Sequence, residues 1–204
     1  MSIAVEHDKR RYEILEKALD AFMDEGFEDV TFQKIADRCG ITRTTLYIYF
    51  KNKREIFNFS IKQFLSVLEN NINDIRKSND LSHTEKLVRV MIVILERLEE
   101  NRRLLLVIMN SLVYMSKGEH APDYRVRRRT VRMRHIMTTM LIDGIKTGEF
   151  TPKLNVKDAN ELLYGVIEAA IFRMVVLRRE SVEELKDAVK QVMQRFAAKE
   201  ANGL

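Results

Sequence analysis

Residues 31–53, TFQKIADRCGITRTTLYIYFKNK, restrict the fold more than any other stretch of this 204-residue chain. They read as two short helices with a tight turn between them. The Thr31 hydroxyl can accept from an orphan backbone N–H in a first helical turn. Ile35, Ala36 and Cys39 recur at helical spacing and give that helix one apolar face. Gly40 stands where a helix exit needs a residue at ease with positive φ. Ile41 then plugs the turn, and Thr42 can cap a second helix over 43–49, with Leu46 and Phe50 turned inward. What remains is an outward row of polar and aromatic side chains on the second helix. That is the grammar of a helix-turn-helix, whose second helix lies in the DNA major groove.

Charge agrees with this reading. Lys34, Arg38, Arg43, Lys51, Lys53 and Arg54 crowd the stretch and its exit, and within it only Asp37 opposes them. The preceding segment is acid-rich (Asp20, Asp24, Glu25, Glu28, Asp29), so the basic character is local. A local basic patch is what neutralising phosphates requires. The net charge of +5 permits nucleic-acid binding without establishing it.

The pattern T-x-x-x-I-A-x-x-x-G-I-T-x-x-T-L-Y-x-Y-F-x-N-K, running from Thr31 to Lys53, closely resembles the N-terminal signature of TetR/AcrR-type one-component repressors. The resemblance implies that Arg43, Thr44 and Thr45 face base edges, joined by Gln33 from the preceding helix, and that Tyr47, Tyr49 and Lys53 hold phosphates. The chemistry suits these roles. Arginine can pair with guanine O6 and N7, threonine offers a hydroxyl or a methyl, and tyrosine hydroxyls and a lysine suit backbone oxygens. The competing reading is a plain solvated helix face, against which the number of matching positions argues. Family members often carry glycine or another small residue where Thr44 stands, so the preferred base sequence does not transfer.

The rest of the chain matches that family in length and helical pattern. With 46% hydrophobic and 32% charged residues, seven glycines and two prolines, the chain reads as globular and all-α. About nine helices are expected, over 8–25, 31–39, 43–49, 52–77, 82–101, 102–117, 124–147, 155–179 and 181–199, after a loose arm of about eight residues. Capping boxes at Asn52/Glu55, Ser82/Glu85 and Ser181/Glu184, and an Asn155 cap, mark four of the starts. The division is a three-helix helix-turn-helix domain over 1–53 and a helical ligand-sensing and dimerisation domain over 54–204. Cys39, the single cysteine, excludes a disulfide framework within the chain and reads as a buried packing thiol rather than a redox switch. No apolar signal core follows the start and no run is long enough to span a membrane, so the cytoplasm is the expected location.

The eighth expected helix is apolar nearly all round, through Leu162, Val166, Ile167, Ala170, Phe172 and Val176, and the ninth carries Val182, Leu185, Val189, Val192, Met193 and Phe196 at coiled-coil-like spacing. These read either as one chain's core or, as the resemblance favours, as a homodimer interface through helices 8 and 9. Such a dimer would face a near-palindromic double-stranded operator. Glu168 and Arg173 interrupt the apolar surface and are candidates for pairing between copies. The resemblance also implies a pocket for an unknown small-molecule inducer among helices 4 to 8. Met91, Met109, Tyr114, Met133, Met137 and Phe172 are its candidate wall, and Arg129 a candidate partner for an acidic head group. Ordinary core packing and a snorkelling surface charge run are the plainer readings of the same residues. His7, His83, His120 and His135 share no metal-ligand spacing, and no nucleophile or phosphate-loop motif occurs. No cofactor, metal or catalytic residue is therefore expected. The expected function is a homodimeric, sequence-specific transcriptional regulator, a repressor released by a small-molecule inducer. A helical enzyme or metal-binding protein with a structural helix-turn-helix, or a non-specific DNA packer, is the alternative.

Overall fold

The computed structural model describes residues 3–115 and 124–197, with side chains for 5–110 and 131–197. Among them run nine α-helices and, outside helix, one antiparallel bridge between Phe150 and Ala197. The chain forms two compact units, Met1–Val67 with Asn101–His120, and Leu68–Glu100 with Ala121–Leu204.

The first unit holds α1 (Ile3–Glu25), α2 (Phe32–Cys39), α3 (Arg43–Tyr49), the first part of α4 (Lys53–Lys77), and α6 (Arg102–Met115). Its core is the buried stripe of α1 (Ile14, Leu15, Ala18, Leu19, Phe22) closed by Ile35, Leu46, Phe50, Ile56 and Leu104. Each of the isoleucine, leucine and phenylalanine side chains among them contributes about 1.5–3 kcal/mol by leaving water. The expected loose arm is helical instead. α1 starts at Ile3 because tertiary contacts hold its first turns: His7 lies 4.8 Å from the Tyr49 ring, and the Arg11 guanidinium covers Phe59 at 4.1 Å.

The second unit centres on α5 (His83–Glu100), against which α7 (Tyr124–Lys146), α8 (Val156–Val175) and α9 (Glu183–Phe196) pack. Leu87, Met91, Leu95, Met137, Leu163, Met174 and Val189 fill it. After Gly148 the chain folds Phe150 onto α7 so closely that a Cβ on Gly144 would sit 2.3 Å from its ring. Phe150 is fully buried edge-on to Phe196.

Two helix starts here are held from a distance. The Glu149 carboxylate accepts the backbone N–H groups of His83 (2.8 Å) and Thr84 (2.9 Å) at the head of α5, and lies 2.9 Å from the His83 ring. Burial opposes its ionised form, but the hydrogen bonds from His83 and Thr84 prevail and bring its carboxyl down to about 2. Glu99 does the same for α9, accepting from Val182 N at 2.6 Å and from the Ser181 hydroxyl, while Lys186 closes the group at 3.1 Å. The expected Ser181/Glu184 box is absent: Glu184 pairs with Arg173 at 2.9 Å, so a carboxylate from α5 replaces it. The Ser82/Glu85 box and the Asn155 cap form as expected. α8 ends at Val175, short of 179, because Arg178 takes the left-handed conformation (φ 56°) usually left to glycine.

The apolar set of α9 is spent inside this unit. Val182, Leu185, Val189, Met193 and Phe196 are buried, Val192 is half buried, and the fully exposed positions of α9 are polar. α8 differs. Leu162, Phe172 and Val176 are about half exposed along one stripe with Gly165, around which a Cβ would meet open space. Among the described residues no helix is long and apolar enough to cross a membrane.

Candidate nucleic-acid interface

The turn between α2 and α3 is built from local hydrogen bonds. Thr31 accepts from Lys34 N at 3.2 Å and starts α2. Gly40, at φ 66°, closes it, with its own N–H on Asp37 O (3.0 Å) and that of Ile41 on Ala36 O (3.1 Å). This doubled closure needs a left-handed residue, which glycine supplies without a steric penalty. Thr42 then accepts from Thr45 N at 3.1 Å and starts α3. Leu46 and Phe50, at most 1% exposed, fix the inner side of α3. The outer side is decided by this anchoring.

Of the residues nominated from sequence, Arg43, Thr44 and Tyr47 are exposed on that outer side. Arg43 donates to the Tyr47 hydroxyl at 3.1 Å, and the Tyr47 ring packs on Phe32 at 4.9 Å. The long arginine is thereby pre-positioned rather than free to sweep. Gln33 is exposed on α2 and donates to Asp37 at 2.7 Å. Thr45 is only half exposed, its hydroxyl 2.8 Å from that of Thr42, and Tyr49 is half buried beneath His7. Neither presents a full side chain outward.

Lys53 lies elsewhere than a phosphate role requires. Its ammonium donates to the carbonyls of Phe27 (2.8 Å), Glu28 (2.6 Å) and Val30 (3.0 Å) and sits 5.1 Å from the Phe27 ring. An ammonium has three N–H groups, and all three are occupied. The residue ties the head of α4 to the loop between α1 and α2.

The basic patch is smaller than the sequence suggests. Lys34 pairs with Glu25, and Arg38 with Asp24 (2.7 Å) and Glu25 (3.6 Å), so the acidic end of α1 neutralises both. Arg43, Lys51 and Arg54 are exposed and have no ion pair among the described residues. Ile48, which the sequence reading passed over, is 67% exposed on the same outer side. Its register one turn after Thr44 was the signal that could have found it. Cys39 is half buried against the core, and burial raises its thiol pKa, which leaves it unreactive.

The inducer-site nominations scatter. Met91 and Met137 are fully buried in the second unit and Met133 is half buried. Met109 is half buried in the first unit. Phe172 is 53% exposed, so it lines no interior wall of this chain; it belongs to the outward stripe of α8. The side chains of Tyr114 and Arg129 lie outside the described ones. A cavity of about 270 Å³ in the second unit is bordered by Arg76, Lys77, His83, Lys86 and Asp143, and none of the nominated residues lines it. Arg173 donates to Glu184 of its own chain at 2.9 Å.

The family model described as bacterial regulatory proteins, tetR family, matches residues 14–58, from the α1 stripe to the start of α4. The chain is 24% identical over 168 residues to the fatty acid metabolism regulator protein of Bacillus subtilis, covering 80% of this chain and 82% of that one. It is 28% identical over 159 residues to the HTH-type transcriptional repressor KstR2 of Mycolicibacterium smegmatis, covering 78% and 74%. The solved structure of the transcriptional regulator FadR from Bacillus subtilis, in complex with stearoyl-CoA, superposes with a TM-score of 0.63 at 23% identity, covering 89% of this chain and 96% of that one.

Proposed function

We propose, on the premise that this chain belongs to the TetR family of bacterial regulatory proteins, that it is a ligand-responsive transcriptional repressor acting as a homodimer on a near-palindromic operator. The observation that carries this is the outer side of α3: Arg43, Thr44 and Tyr47 stand exposed on a short helix whose inner side is locked by Leu46 and Phe50. A helix so held can enter a major groove with its side chains already oriented. Arg43 is the residue for a guanine edge, while Tyr47, Lys51 and Arg54 meet phosphates.

The half-exposed stripe of α8 supports a second copy as its cover. The polar outer face of α9 leaves that helix a flanking part in the interface. Two copies so joined would set their recognition helices about 34 Å apart, one turn of DNA. The inducer is an acyl thioester of coenzyme A. Likeness to a fatty acid metabolism regulator and to a structure holding stearoyl-CoA supports this class. α4 contributes residues to both compact units and is the element through which a ligand acts. The ligand need only prefer the conformer with mis-set recognition helices; a preference of about 1–3 kcal/mol shifts operator affinity about 5–150-fold.

The test is selection of a preferred duplex from a random pool, followed by fluorescence anisotropy of that duplex with increasing long-chain acyl-CoA. Palindromic enrichment and release by acyl-CoA, but not by free coenzyme A, is the expected result. Equal affinity for all duplexes would leave a DNA packer, and an indifference to every acyl-CoA would remove the inducer class.

A further inference from the structure

The outer side of α3 carries two rows. Arg43 and Tyr47, four residues apart, form a polar row joined by a hydrogen bond. Thr44 and Ile48, also four apart, form a parallel row that ends in methyl groups. Ile48 is 67% exposed, more than any other large apolar side chain among the described residues. A single exposed isoleucine is ordinary on a protein surface. This one is placed differently, within a seven-residue helix whose surroundings are polar and basic, with Arg43 before it and Lys51 after it. A β-branched residue also adds nothing to helix propensity at an exposed site. Packing inside the chain does not account for it either, since Leu46 and Phe50 already fill the inner side.

We propose that Ile48 is a specificity-determining residue that packs on the C5-methyl group of a thymine in each operator half-site. The inference rests on the DNA-binding reading above and deepens it. The major groove offers one apolar group, the thymine methyl, and an aliphatic side chain on the groove-facing row of a helix is its complement. Phosphates cannot be the partner, because Ile48 has neither charge nor donor. The row also fixes the register. Thr44 and Ile48 are separated by about 6 Å along the helix axis, close to two base-pair steps, so the thymine lies about two steps from the base met by Thr44. The sequence preference of this chain thus includes an A·T pair at a position that a polar residue at 48 would leave unread.

Single-atom-group replacement tests this directly. The preferred duplex is made with deoxyuridine in place of each thymidine in turn, which removes one methyl and leaves base pairing intact. Affinities are measured for the full-length protein and for Ile48→Ala. The expected result is one position per half-site at which uracil weakens the unaltered protein about fourfold, the loss of one buried methyl, and leaves Ile48→Ala unaffected. Uracil effects that are identical in both proteins, or absent at every position, overturn the assignment while the DNA-binding reading stands. Ile48→Ala that changes the sedimentation of the free protein places the side chain against protein and overturns it too. If the unaltered protein selects no duplex, the DNA-binding reading fails and takes this inference with it. Thermal melting of Ile48→Ala should match that of the unaltered protein, because the side chain touches little of the core.

Discussion

Lys53→Met separates two roles that the same lysine could play. The substitution keeps the aliphatic stem and removes the ammonium, which donates to Phe27, Glu28 and Val30 carbonyls at 2.6–3.0 Å. A hydrogen bond from a charged group contributes about 1.5–3 kcal/mol when desolvated, and solvent competition at the exposed Glu28 carbonyl lowers that share. The loss should therefore total about 2–3 kcal/mol, because the carbonyls of Phe27 and Val30 lie in part-buried surroundings. For a chain of this size that is a fall in melting temperature of about 4–12 °C, read by circular dichroism. Operator binding should weaken through the loosened α1–α2 loop, yet the slope of log affinity against log salt should stay as it is. A phosphate contact predicts the opposite pair of results. Unchanged melting with a slope shallower by about 0.9 would place the ammonium on DNA and refute the role assigned from the geometry.

Three other perturbations address the second unit. Gly144→Ala should destabilise strongly, since the new Cβ would meet the buried Phe150 ring at 2.3 Å; melting within 1 °C of the unaltered protein, on the order of experimental scatter, would mean that Phe150 yields freely. Glu149 titrates at about 2 in the folded chain against an ordinary 4.5, so its stabilisation is complete above 4.5 and is lost as pH falls from there through 2. Glu149→Gln should be less stable at neutral pH and should lack that part of the acid-side decline in urea midpoints; an undiminished decline would assign it to other carboxylates. Phe172→Asp puts a charge on the half-exposed stripe of α8 and should shift sedimentation toward the monomer while leaving far-ultraviolet dichroism unchanged. A persistent dimer would move the interface off that stripe.

Legibility followed the range of the interactions. The two short helices were readable because everything that starts and stops them is local: the Thr31 and Thr42 hydroxyls, the left-handed Gly40, and Leu46 at helical spacing. The stripe of α1 is equally local in origin, since Ile14, Leu15, Ala18, Leu19 and Phe22 recur at helical spacing and are all buried. What the sequence left hidden lay in partners far along the chain. The apolar set of α9 has the spacing of an intermolecular seam, and spacing alone does not say which surface it meets; here it is α5 and α8. The neutralisation of Lys34 and Arg38 by Glu25 and Asp24 reduces a basic patch that looked larger in one dimension. Lys53 is basic in the sequence and bonded to carbonyls in space. The end of α8 was missed because a left-handed arginine does the work expected of glycine. Within the candidate interface, five of the seven nominated side chains (Gln33, Arg43, Thr44, Tyr47 and, in part, Thr45) reach the surface of the motif, whereas Tyr49 is held beneath His7 and Lys53 against the loop.

Glu99 completes a beginning of α9 that its own segment encodes only in part, through the Ser181 hydroxyl accepting from Glu183 N at 3.2 Å. Val182 and Ser181 find their acceptor eighty-odd residues earlier, at the far end of α5. A peptide comprising α9 alone should therefore stay unstructured in water. The first turn of α9 should open whenever the end of α5 does, so that protection from exchange is lost at both together.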